Sequence, residues 1–394
     1  MNMETIILTS CLLFMLIDYI KTRKIFTPVL IFNFIWFFTL SLYNLKISYL
    51  QQDLSERTLY LFILNILGFN ITYLIISSFK KRKVTSSKRK ALKYTKEQRI
   101  KFAKWFVIFL FIVETIYSGG IPIIWKITGV GKNYFDFGIP SVHGAFNGLV
   151  ICLGAYSFFK KTNDKYLYLL IGILIFSRQI MISMAVEAII FNMFTSKEIK
   201  WKKYIIIGIV GILAFNILGN FRSGSETMNE IFQPKQQYVN MPNSLKWVYS
   251  YMTFSVSNFN NLVSKTDGGM NRGASMLSQI VPTALLDKVN IEIKYNPFYL
   301  ISLNYNTCTS FPEIYLDFGA IGILVFGILL AFLGNSIYKQ MLLNKTEANI
   351  LTYSVYVHNI LLLFFVNMFL YLPVIIQFIY IPLIFAENEG RIKK

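Results

Sequence analysis

Eleven apolar stretches run in series along this 394-residue chain, and the short links between them alternate in charge. They fall near residues 5–19, 26–42, 58–79, 102–117, 145–159, 166–176, 180–194, 204–219, 314–337, 350–369 and 373–386. Runs of this length and frequency satisfy their own backbone groups as helices in a bilayer. The expected fold is therefore a single all-α polytopic membrane domain, residues 1–394, with about eleven transmembrane helices. A composition that is 55% hydrophobic and 15% charged excludes an ordinary soluble protein. No basic n-region precedes the first apolar run, so a cleavable signal peptide is not expected.

Every second link is basic. Lys21-Thr22-Arg23-Lys24 follows the first stretch, and residues 80–101 after the third hold eleven Lys or Arg. Lys160-Lys161, the lysines of 197–203, Lys339, Lys345 and the terminal Arg391, Lys393 and Lys394 continue the pattern. Basic links remain cytoplasmic. The expected orientation has the N-terminus outside, the C-terminus inside and 80–101 as a basic cytoplasmic loop. The same clustering accounts for the net charge of +19 without nucleic acid, since no recognised nucleic-acid module is present. Alternation also requires 166–194 to be two short spans hinged at Ser177-Arg178-Gln179, with Arg178 at the outer boundary.

The large mixed-polarity stretch 220–311 then lies outside. Within it, 244–263 carries Leu245, Val248, Met252, Ser255 and Phe259 at helical spacing, and reads as an amphipathic helix lying at the lipid interface. A second helix is expected within 273–286.

Candidate chemistry gathers on that outer face. His143 ends a Gly- and Pro-rich link, and an imidazole exchanges protons near neutral pH. The plainer reading is a helix-end histidine satisfied by backbone. His358, inside the tenth stretch, reads as packing or an interhelical hydrogen bond. Arg178, Arg222 and Arg272 present permanently charged forks suited to phosphate, or snorkel to lipid headgroups. Asp136, Glu226, Glu313 and Asp317 form the outer acidic set. As base or as arginine holder, a carboxylate there has work to do. Glu313 and Asp317 alternatively orient Arg178 or Arg222 by ion pairing. Glu114 and Glu187 lie deeper and could pair with the same arginines. No metal cluster, P-loop, dinucleotide motif or nucleophile elbow is present, and the three cysteines suggest no disulfide, so no cofactor is expected.

The segment Phe137-Gly138-Ile139-Pro140-Ser141-Val142-His143, the Ser177-Arg178 hinge, the arginine after the eighth stretch, the single large outer loop and the closing Tyr315-x-Asp317-Phe318-Gly319-x-x-Gly322 together resemble the Wzy-type oligosaccharide repeat-unit polymerases, which are similar to O-antigen ligases. The resemblance implies a GT-C-like helical fold in the bacterial cytoplasmic membrane. It implies transfer of a growing glycan from undecaprenyl diphosphate to an incoming lipid-linked repeat unit, with neither metal nor nucleotide. A chain-length regulator and a flippase are the partners such a reaction would have. The residues suit that chemistry as follows: His143 or Glu226 as base, Arg222 and Arg178 on the departing diphosphate, and Arg272, Asp136, Glu313, Tyr315 and Asp317 as substrate-binding candidates. A lipid–glycan ligase is the alternative within the same class. A transporter or flippase of lipid-linked oligosaccharide is the alternative from another class, though no internal repeat is visible.

Overall fold

The computed structural model describes residues 2–79, 94–196, 227–281 and 299–387, together with 202, 204, 206 and 208. Arg222, Glu226, most of the eighth apolar stretch and most of the basic 80–101 link lie outside the described residues. The described chain is helical, and its one β contact is an isolated bridge between Ser48 and Pro234.

The helices are α1 (Met3–Thr22), α2 (Pro28–Tyr43), α3 (Glu56–Ser78), α4 (Lys96–Ser118), α5 (Pro122–Thr128), α6 (Val142–Lys160), α7 (Asp164–Leu174) and α8 (Arg178–Thr195). They continue with α9 (Met228–Phe232), α10 (Asn243–Lys265), α11 (Ala274–Ile280), α12 (Pro312–Leu343), α13 (Glu347–Leu361), α14 (Leu372–Ile375) and α15 (Gln377–Phe385). Five segments are long and apolar enough to cross a membrane: Met3–Thr22, Glu56–Ser78, Lys96–Thr128, Val142–Lys160 and Pro312–Leu343. The protein is a helical membrane protein by that measure.

Small and polar residues hold the bundle together, as expected where lipid removes the hydrophobic drive between helices. At Gly68 and Gly327, α3 and α12 approach so closely that a Cβ on Gly68 would lie 3.0 Å from the Leu324 carbonyl oxygen. The Asn65 side chain donates to the Ile323 carbonyl across that contact (3.1 Å). Asn33 and Asn70 exchange amide hydrogen bonds between α2 and α3 at 2.7 and 2.9 Å.

Contacts sort the helix ends onto two faces. On one, Lys96 and Lys160 both bind Glu347, Lys104 pairs with Asp164 at 2.5 Å, Arg99 donates to the Leu383 carbonyl and Lys339 to that of Ile76. On the other, Tyr249 reaches the Leu42 carbonyl, Asn260 accepts from the Ser55 amide, Gly138 donates to Ser118 and Asn367 to the Ser310 carbonyl. The hinge expected near Ser177 is present. Phe176 has φ +61° and Ser177 caps α8. Gly154 of α6 lies against both Tyr168 and Met184, so α7 and α8 form an antiparallel hairpin.

Two expectations need correction. α10 occupies the expected stretch but does not lie on lipid. It is buried along most of its length, with Trp247, Tyr249, Phe254 and Phe259 at most 4% exposed. Its polar stripe is used inside the protein. Asn258 donates to the Tyr305 and Thr307 carbonyls, Asn260 to that of Asp53 and Asn261 to that of Tyr299. Its Trp247, Tyr249 and Phe254 join Ile47, Met228, Ile231, Phe232 and Tyr305 in a second small core. Lys246, 2% exposed, ties this layer by donating to Asn229 and to the Val239 carbonyl, and burial pulls its ammonium below the usual lysine range.

The tenth apolar stretch is likewise not one helix. α13 ends at Leu361, and 362–371 form turns and a 3-10 turn at Met368–Leu370. The Leu363 carbonyl, released from helical bonding, accepts from the Ser310 amide (2.8 Å).

Candidate functional site

Two of the described candidates, His143 and Arg178, are next to residues that touch the non-helical segment following α13. His143 begins α6, and its Nδ1 lies 2.8 Å from Oε2 of Glu114 on α4. Glu114 is fully buried, whereas the His143 side chain is 24% exposed. With Nδ1 donating to this carboxylate, the neutral form of the imidazole has its lone pair on Nε2. The partner of His143 is thus a carboxylate and not backbone, and Glu114 pairs with a histidine and not with an arginine.

The segment before α6 is built around that ring. Gly138 has φ +98°, and a Cβ there would collide with the His143 ring. Phe137 meets the imidazole edge-on at 5.5 Å, and Phe146 lies one turn further along α6. The Gly138 amide is held by Ser118 (2.8 Å), and Lys132 donates to the Ser118 carbonyl. Asp136, a substrate-binding candidate, is exposed and accepts from the Asn133 amide at 2.8 Å, closing a capping box.

Arg178 opens α8 and is half-buried, with no hydrogen bond or ion pair among the described residues. Its neighbour Gln179 lies 3.7 Å from the Met368 sulfur. Gly144, next to His143, packs against Leu372. The neighbours of the dyad histidine and of the arginine thus touch the two ends of one five-residue segment, Met368–Leu372. α11 packs against the same segment.

The closing motif shapes the neighbouring wall. Gly319 has φ +61° and ψ −145°, a conformation in the middle of α12 that essentially only glycine adopts. The break frees the carbonyls of Tyr315 and Leu316, which accept instead from the Gly269 and Asn271 amides at 2.9 Å each. Asp317 is 2% exposed and accepts from the Ser275 and Met276 amides, so it caps α11, and it makes no ion pair among the described residues. The Tyr315 hydroxyl donates to the Thr266 carbonyl (2.9 Å). Glu313 keeps a buried Oε2 without a hydrogen-bond partner, and no ion pair joins it to an arginine among the described residues. Arg272 is exposed with φ +47°. The arginine that does bind here is Arg57, absent from the sequence-derived set. It donates to the Thr266 and Asp267 carbonyls and sits 5.7 Å from the Tyr315 ring.

Glu187 also pairs with a histidine. Its Oε1 lies 3.1 Å from His358 Nδ1 and 3.1 Å from Gln377 Nε2, all three side chains being fully buried. The interhelical hydrogen bond expected for His358 is present. Both histidines of the chain thus engage a buried glutamate through Nδ1. The signal for these partners is a lone acid inside an apolar stretch, which is costly there unless it has a task. No group of three or more metal-binding side chains occurs among the described residues.

No protein-family model, curated protein or solved structure matches this chain.

Proposed function

We propose that the protein is a glycosyltransferase of the bacterial cytoplasmic membrane. It polymerises undecaprenyl-diphosphate-linked repeat units into a surface polysaccharide, as the Wzy-type resemblance suggests. In this reading about eleven spans form a GT-C-like bundle. The lysine-bearing face is cytoplasmic, and transfer occurs on the other. The observation that carries it is the Glu114–His143 dyad, whose neighbour Gly144 packs on Leu372, while Gln179, the neighbour of Arg178, lies against Met368 at the other end of the same segment. The acceptor hydroxyl oxygen attacks the anomeric carbon of the donor glycan, and the bond from that carbon to the diphosphate oxygen breaks. The hydroxyl proton passes to His143 Nε2, and Glu114 stabilises the imidazolium. The departing lipid diphosphate meets Arg178 and, by sequence, Arg222.

The test is purified protein in nanodiscs supplied with lipid-linked repeat units, with products resolved on a gel. A ladder is expected. His143→Ala and Glu114→Gln should each slow its formation by about 10²- to 10⁴-fold. Arg178→Ala should nearly abolish it, and Arg178→Lys should restore little, because a point charge does not reproduce the fork. A single transferred product would favour the ligase. The buried Glu187, His358 and Gln377 beside a broken helix are the observation that favours a transporter. Vectorial uptake of lipid-linked oligosaccharide without polymer would establish that reading instead.

A further inference from the structure

The segment touched by the neighbours of His143 and Arg178 is bridged at its base through one shared acceptor, beside the bonds that Leu363 and Asn367 make with Ser310. α13 ends at Leu361, α15 begins at Gln377, and 362–376 between them contain only turns, the Met368–Leu370 turn and the four-residue α14. His358 and Gln377 stand on either side of this break. Both bond Oε1 of Glu187, at 3.1 Å each, on a third helix, α8. At its tip the segment meets Gln179 through Met368 and Gly144 through Leu372. Removing the shared acceptor would leave His358 Nδ1 without its partner and Gln377 with only its 3.3 Å bond to the Pro373 carbonyl, a loss that is large beside the local stability of a segment with little regular hydrogen bonding.

We propose that Glu187, His358 and Gln377 are positioning residues. They form a clasp that closes the base of 362–376, fixes Met368–Leu372 against α6 and α8, and so sets the spacing between His143 and Arg178. The consequence for transfer rests on the polymerase reading; the clasp itself does not.

The experiment compares Glu187→Gln, which keeps an acceptor oxygen without the charge, with Glu187→Leu, which removes both. Hydrogen exchange across 362–376 is followed in the full-length protein in nanodiscs, alongside the rate of polymer formation. Glu187→Leu should raise exchange in 362–376 by about 5- to 150-fold, the range set by one unsatisfied buried group, while α4 and α12 keep their protection. It should lower kcat more than it raises KM. Glu187→Gln should restore both readings to within about threefold of wild type, half a typical hydrogen bond's worth. Unchanged exchange in Glu187→Leu overturns the clasp. So does a Glu187→Gln variant as impaired as Glu187→Leu, because the trio would then act through charge, as a proton or cation site. If Glu187→Leu fails to fold, Gln377→Leu and His358→Gln replace it. Gln377→Leu should loosen the α14 end alone, and equal protection at both ends would overturn the clasp. If the segment loosens but wild type makes no ladder, the clasp stands and the polymerase reading falls.

Discussion

Gly138 has no room for a side chain. Its φ of +98° disfavours any L-residue, and a Cβ would occupy the space of the His143 ring. Gly138→Ala should therefore displace the imidazole from Glu114 while leaving the helices in place. The expected loss is about 10²-fold or more in rate, the scale of a 1 Å misplacement, with protein still present in the membrane. Polymer yield and membrane abundance, measured together, check it; an active Gly138→Ala protein would mean that the ring position is not needed. His143 was legible in the sequence because it ends a Gly- and Pro-rich link on the outer side. Its partner was not, because Glu114 lies 29 residues away on another helix and no local pattern reports a contact between helices. Pairing the deep glutamates with arginines followed charge alone. Histidines took that place because both reach the glutamates within the bundle.

Among the elements, α12 shows what a break inside a membrane helix requires. The carbonyls freed at Tyr315 and Leu316 must be satisfied from elsewhere, and the loop at Gly269 and Asn271 supplies the amides. Gly319→Ala would strain a backbone that only glycine tolerates, at a cost of about 1–3 kcal/mol. The expected outcome is a lower Tm and faster proteolysis within 266–273, as the loop loses its acceptors. Unchanged proteolysis there would show that Asp317's cap on α11 suffices. Asp317 and Tyr315, substrate-binding candidates by sequence, also make hydrogen bonds that dock this loop. The end of α13 was illegible for a different reason. Leu361 to Phe365 are all apolar, and hydropathy does not distinguish an apolar helix from apolar turns that borrow a partner's amide. The hinge at Ser177 was legible because basic links on both sides demanded an even number of crossings.

For the whole molecule, the sorting of helix ends onto two faces yields a direct test of orientation. Ser264 is exposed on the candidate-site side and Thr162 on the lysine side. In intact cells an impermeant thiol reagent should modify Ser264→Cys and spare Thr162→Cys; the reverse would turn the proposed site towards the cytoplasm. The α7–α8 hairpin bears on the surrounding lipid as well. Eleven helical residues rise about 16 Å, roughly half the ~30 Å of hydrocarbon in a typical bilayer. The outward side of α7 is apolar, with Tyr166, Leu170 and Ile173 exposed. In the proposed eleven-span reading, lipid beside it must thin to meet so short a crossing. A dimple in the leaflet at Phe176 and Arg178 would let headgroups and water descend towards the arginine. A phosphorylated lipid sliding along that depression would arrive with its phosphates already below the ordinary surface. Reconstitution in lipids of increasing acyl length should then slow turnover in step with thickness, because each added carbon makes the dimple dearer to form.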